Sequence, residues 1–178
     1  MDKHMEQQRY PIGHFAASGQ LTLKQREQCI EEISTMAELL REKVCTLTPE
    51  QLDIPYRAEG WSVRQVIHHL ADNNMNAYLR FKRGLTEEAP IIPSYREELW
   101  AELSDYSKEP VETSLVLLES LQRRFVSLLR SLGDEDYKRT FVSLGLGTLS
   151  LDTALERYVW HNRHHLAHIT SLISRKGW

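Results

Sequence analysis

The stretch Ser62–Gly84, SVRQVIHHLADNNMNAYLRFKRG, decides how this chain is read. Ser62 precedes Gln65 by three positions, the form of a capping box in which each side chain satisfies a backbone N–H of the other residue. Val63, Val66, Ile67, Leu70, Asn74, Ala77, Tyr78 and Phe81 then follow at three- and four-residue steps. They share one face of a helix running to about Gly84. The adjacent pair His68-His69 sits near its start.

Outward from this helix the same pattern returns three times. TLKQREQCIEEISTMAELLREKV, from Thr22, opens with a second capping box, Thr22 with Gln25, and shows helical spacing in Leu23, Cys29, Ile30, Ile33, Met36, Leu39, Leu40 and Val44. VETSLVLLESLQRRFVSLLRSL follows Pro110 and ends at Gly133. A last helix runs from Leu151 or Asp152 to about Arg175. The connections are less regular. Leu47–Gly60 has two prolines, a glycine and room for one helical turn. SYREELWAEL fits a short extra helix from Ser94, and TFVSLGLGTLSL (Thr140–Leu151) fits a small hairpin or an irregular loop. Residues 1–20 carry Pro11, Gly13 and Gly19 without a period and read as an extended arm.

Four amphipathic helices with almost no strand predict an all-α fold, a four-helix bundle within a single domain spanning 1–178. The unequal connections allow a crossover topology. A faint internal echo, LTPEQLDIPY (Leu47–Tyr56) against LGDEDYKRTF (Leu132–Phe141), precedes each helix that carries adjacent histidines.

Composition narrows the function classes. The 178 residues have a net charge of −3 and no basic run, which argues against nucleic acid as a partner. No apolar run approaches the roughly 20 residues of a membrane span, and MDKHMEQQRYPIG lacks the apolar core of a signal peptide. Cys29 and Cys45 lie about 24 Å apart along one predicted helix, too far to pair. A cytoplasmic protein without disulfides is expected.

The histidines stand out. WHNRHHLAH, Trp160–His168, holds four of the eight in the chain. At about 100° per residue, His161, His164, His165 and His168 share one sector of about 100°. His161 and His165 border the apolar stripe of Leu151, Ala154, Tyr158, Ile169 and Leu172, while His164 and His168 turn towards solvent. Spacing i, i+4 stacks two imidazoles on one face, the geometry two helical metal ligands need. A third ligand is required, and His68 and His69 both qualify. With Val66 at the origin and the apolar centre near about 60°, they fall at about 200° and 300°, off the stripe by similar amounts. His4 and His14, on the arm, have no such grouping. Trp61, Trp160 and Tyr158 read as packing, and EELWAE with Asp105 as solvated surface. HExxH, paired Glu-x-x-His and CxxCH are all absent.

YPIG (Tyr10–Gly13), GWSVRQVIHHLAD (Gly60–Asp72), FKRGLTEEAP (Phe81–Pro90), YVWHNRHHLAHIT (Tyr158–Thr170) and the terminal GW together resemble the YfiT branch of the DinB-like superfamily. The resemblance spans nearly the whole chain. It implies a four-helix bundle of crossover topology binding one divalent metal, zinc or nickel, through three histidines. One comes from the second helix and two from the fourth, which carries over to His69, His161 and His165. It also implies a metal-dependent hydrolase acting as a cytoplasmic homodimer on a small molecule. Related members transfer bacillithiol or mycothiol onto electrophiles.

Three functions follow as expectations. The first is hydrolysis of a small substrate by metal-bound water. In the second, a low-molecular-weight thiol replaces that water, which accommodates the lack of an evident carboxylate base beside the ligands. The third is a non-enzymatic stress protein whose metal is structural or adventitious.

Overall fold

The computed structural model describes residues 3–178, with side chains from residue 5 onward. His4 therefore has its side chain outside the described residues. The order is α1 (Lys3–Arg9), α2 (Leu23–Val44), α3 (Pro49–Leu52), α4 (Val63–Thr86), β1 (Ile91–Ile92), α5 (Glu97–Trp100), α6 (Ser104–Lys108), α7 (Val111–Arg130), α8 (Asp134–Lys138), β2 (Thr140–Ser143), β3 (Gly147–Ser150) and α9 (Leu151–Lys176). The chain is an all-α four-helix bundle of α2, α4, α7 and α9, as its periodicity predicts.

Both capping boxes form. Gln65 N donates to Ser62 Oγ at 3.2 Å, and Ser62 N to Gln65 Oε1 at 2.9 Å. Gln25 N donates to Thr22 Oγ1 at 3.3 Å and Thr22 N to Gln25 Oε1 at 2.8 Å. The last helix stops where Gly177 turns left-handed at φ 69°, a conformation that suits a residue without Cβ.

Around the bundle the helices run α2, α7, α4, α9, so each is flanked by two others and sequential partners α2 and α4 face each other diagonally. Arg41 of α2 pairs with Glu112 at the start of α7, and Arg130 at the end of α7 pairs with Glu31, making that pair antiparallel. The buried polar groups set the remaining register. Arg26 near the start of α2 pairs with Asp152 near the start of α9, a parallel arrangement. On α4 and α9, Asn74 meets Asn162 and Gly84 abuts Leu151, where an added Cβ would stand 3.0 Å from Leu151 Cδ2. Those two run antiparallel. It follows that α4 and α7 are parallel, and residues 87–110 must return along the bundle, the crossover connection.

The apolar interior divides into two clusters. Phe81, Phe125, Leu129, Leu151 and Leu155 anchor one end, and Leu40, Val63, Ile67, Leu118 and Ile169 the other. Between them lies a polar layer touching all four helices. Gln122 Nε2 donates to Asn74 Oδ1 and Asn74 Nδ2 to Asn162 Oδ1, each at 3.0 Å, while Ala37 N donates to Gln122 Oε1 at 3.1 Å.

Three features depart from the sequence reading. The hairpin exists, with Thr140 opposite Ser150, but β1 joins it in parallel to make a three-stranded sheet. Two residues of strand, Ile91 and Ile92, are too short for alternation to reveal them. Within SYREELWAEL one short helix forms, starting at Glu97 and not at Ser94, and a second, Ser104–Lys108, follows beyond it. The arm is not wholly extended: Lys3–Arg9 is helical and packs against α9. A seven-residue helix is marginal alone, so its support is tertiary. The echo has a structural counterpart, since the short α3 precedes α4 as the short α8 precedes the hairpin and α9.

Candidate metal centre

His69 occupies the second turn of α4, and His161 and His165 occupy successive turns of α9. Because the two helices are antiparallel neighbours, the three rings converge. One nitrogen from each lies within 4.8 Å of the others. His69 Nε2 and His161 Nε2 are 3.3 Å apart. Ring centroids are separated by 5.2 Å (His69–His161), 4.7 Å (His69–His165) and 4.5 Å (His161–His165).

The two neighbouring histidines face different helices. His68 Nδ1 is 2.7 Å from Ser114 Oγ on α7, and its ring packs 5.4 Å from Tyr106. It points out of the cluster. His69, one residue or about 100° further round, faces α9.

Burial dominates the electrostatics. Desolvation lowers the pKa of His69 to about 4 and holds His161 and His165 well below the ordinary histidine value, with the other imidazoles adding repulsion. All three rings are thus neutral near pH 7. The Nδ1 atoms of all three are buried without a hydrogen-bond partner among the described residues. Leaving such groups unpaired is costly. Three neutral imidazoles with converging nitrogens form a donor set suited to a divalent transition-metal ion. The residues present fit a metal.

His164 and His168 were expected to turn towards solvent; both are buried. The ring of His168 stacks on Tyr56 at 3.9 Å, and its Nε2 donates to the Arg9 carbonyl at 3.1 Å. His164 stacks on Trp160 at 4.8 Å, with Tyr10 5.9 Å away. The N-terminal segment covers a face that the α9 pattern alone marks as polar. Desolvation pushes His164 down to about 4 and His168 to about 3. His14 remains exposed, with Nε2 3.5 Å from Glu6 Oε1. Trp61 packs against the cluster, 4.7 Å from the His69 ring and 6.2 Å from that of His165.

Two cavities reach the cluster, and His69 and His161 line both. One, of about 300 Å³, extends between α4 and α9 towards the sheet, past Asn73, Arg80, Tyr95, Arg157 and Tyr158. The other, of about 370 Å³, opens beside Tyr10, Tyr56, Trp61 and His165. Glu97, read from sequence as solvated surface, is exposed but lines both. Arg80 and Arg157 were overlooked although a signal existed. On the helical wheel Arg80 falls about 20° from His69, and Arg157 about 40° from His161. Nothing in the sequence marks Glu97.

Comparison with known proteins gives a consistent picture. The model of the DinB superfamily matches residues 32–169. An Oceanobacillus iheyensis protein named "Putative metal-dependent hydrolase" is 50% identical over 171 residues, covering 96% of this chain and 99% of its own. A Bacillus cereus protein of the same designation is 49% identical over 174 residues, covering 98% of this chain and 100% of its own. The structure of YfiT from Bacillus subtilis, described as "a probable metal-dependent hydrolase with an unusual four-helix bundle topology", superimposes with a TM-score of 0.94 at 43% identity, covering 97% of this chain and 99% of that one.

Proposed function

This chain belongs to the DinB superfamily, and from that premise we propose that it is a metal-dependent hydrolase whose His69, His161 and His165 hold one divalent cation, zinc or nickel, beside a small-molecule substrate. The observation that carries the reading is the convergence of three imidazole nitrogens, from buried His69 and His165 and partly buried His161, within 4.8 Å at the meeting of two cavities. The names of the relatives point the same way. A divalent ion held there supplies a Lewis acid, which in favourable zinc sites brings the pKa of water to about 7.

The protein's own groups do the rest. Burial keeps the three imidazoles neutral, so each offers a lone pair. Trp61, packed against His69 and His165, restrains the rings. Three side chains leave room for a reactant, whereas a fourth would close the site as structural sites are closed. Glu97 is the carboxylate that lines both cavities, and it receives the proton released by the nucleophile.

A second reading has its own support. A hydrolase needs one organic substrate and water, but two cavities meet at this cluster, an arrangement with room for two organic reactants. In that reading a low-molecular-weight thiol takes the place of water.

The test uses untagged protein loaded with zinc or nickel, assayed on a panel of esters and amides with and without bacillithiol. Hydrolysis predicts turnover without thiol, reduced about 100-fold by Glu97→Gln with metal content unchanged. Turnover that appears only with thiol replaces hydrolysis by transfer. No turnover in either condition, together with a fourth protein side chain on the ion, refutes both.

A further inference from the structure

The larger polar feature left over is the far end of the cavity between α4 and α9. Arg80 and Arg157 both line it, on facing helices. The register set by Asn74 with Asn162 and Gly84 with Leu151 puts Arg80 level with Arg157. Both side chains are half-buried. Neither guanidinium has a hydrogen bond or ion pair among the described residues, whereas Arg26, Arg41, Arg64, Arg83 and Arg163 all do. Arg157 instead lies over aromatic faces, 5.4 Å from the Phe15 ring centroid and 5.9 Å from that of Trp160. Its N–H donors are left free.

Two desolvated like charges on one cavity wall are unfavourable unless an anion joins them. Burial lowers the pKa of both guanidiniums, and Arg80 lowers that of Arg157 further. The one carboxylate on the cavity wall, Glu97, offsets only one of the two positive charges and lies beyond ion-pair distance of either. Guanidinium forks match the planar geometry of carboxylate and phosphate. Ala77, Phe81, Phe141 and Leu149 add apolar surface to a wall that also carries Ser94, Tyr95 and Ser143. Arg157 is one helical turn, about 6 Å along the axis, from His161.

We propose that Arg80 and Arg157 form an anion-binding subsite, and that the substrate is an elongated small molecule with an acidic oxyanion group at one end and an apolar body leading to the histidine cluster. The position of its reacting end rests on the metal-dependent function proposed above; the anion subsite itself does not. A cavity of about 300 Å³ accommodates a molecule of this kind.

Isothermal titration at fixed ionic strength, on protein as purified and after treatment with EDTA, tests the subsite with three probes: succinate, inorganic phosphate and uncharged succinamide. Succinate or phosphate should bind with and without metal, and succinamide should not. Tighter binding of succinate assigns a carboxylate, tighter binding of phosphate a phosphoryl group. Arg80→Gln and Arg157→Gln should each weaken binding tenfold or more, with melting temperature and metal content as in the parent. Arg80→Lys, which keeps the charge and loses the fork, should fall between. Lys82→Gln, an exposed change on the same helix, should have no effect. Absence of binding by both anions, or binding unaffected by the arginine substitutions, overturns the proposal. Anion binding that depends on the arginines in protein found to take up no metal would leave the subsite standing and remove the metal-dependent function.

Discussion

At the residue scale, the two neighbours His68 and His69 make a stringent pair because they differ in direction and little else. His69→Ala should reduce stoichiometric metal to a small fraction, read by elemental analysis of untagged protein. His68→Ala should retain the metal and cost about 1 kcal/mol of stability for the lost bond to Ser114. Equal metal loss in both would overturn the assignment. The buried histidines also set a pH dependence. His164 and His168 have pKa values lowered by desolvation to about 4 and about 3, against about 6.5 in the unfolded chain. Between those limits the unfolded chain binds protons that the folded one does not, so stability falls as pH drops. Metal-stripped protein should therefore be fully stabilised by these groups above about pH 6.5 and lose that contribution progressively towards pH 3 to 4. Urea titrations at stepped pH measure it, and replacing His168 by Gln should flatten the slope. The i, i+4 spacing of His161 and His165 was legible in the sequence. Choosing His69 over His68 needed the family resemblance, since both sit off the apolar stripe by similar amounts, and the burial of His164 and His168 depends on Tyr10, Arg9 and Tyr56, more than 100 positions away.

At the scale of elements, the four helices hold together through apolar stripes, but one layer is polar. Asn74, Gln122 and Asn162 are each nearly or fully buried, and their amides hydrogen-bond in a chain across three helices while Gln122 also accepts from α2; Asn162 Nδ2 alone among these amide groups has no hydrogen-bond partner among the described residues. Asn74 appears on the apolar face of its helix in sequence, and this layer is the reason. Gln122→Ala removes the partner of the buried Asn74 Oδ1, at about 1–3 kcal/mol, and with it the cross-helix contact to Ala37 N and the packing of the Gln122 side chain. Thermal denaturation should show a loss of at least about 2 kcal/mol, and a loss under about 0.5 kcal/mol would mean water replaces the amide. The caps, by contrast, are local. Thr22-Gln25 and Ser62-Gln65 form as their spacing requires because a capping box involves only four consecutive residues. Ile91–Ile92 escaped notice because its partner, Val142–Ser143, lies about 50 residues on.

At the scale of the whole molecule, Arg26 ties three elements at one end of the bundle. Its Nε donates to Asp152 Oδ1 at 2.7 Å and its Nη2 to Asp152 Oδ2 at 2.9 Å; it also pairs with Asp134 and lies 4.5 Å from the Tyr137 ring centroid. The carboxylates raise the pKa of this guanidinium. Asp152→Ala would strand a buried cation and should destabilise the protein by about 3–5 kcal/mol in chemical denaturation. A loss below about 1 kcal/mol would show that Asp134 and solvent suffice. The same long-range assembly builds the functional site. The four long helices, their bounds to within a few residues, the Thr22 and Ser62 capping boxes and the apolar stripe of each long helix were legible in the sequence alone, because propensity, capping and period act within a few turns. The order of helices around the bundle, the antiparallel apposition of α4 and α9, the arginine-lined cavity between them and the arm closing over α9 were decided only by tertiary structure. A stripe of apolar residues states which side of a helix must leave water, and it carries no information about which other helix will be waiting there.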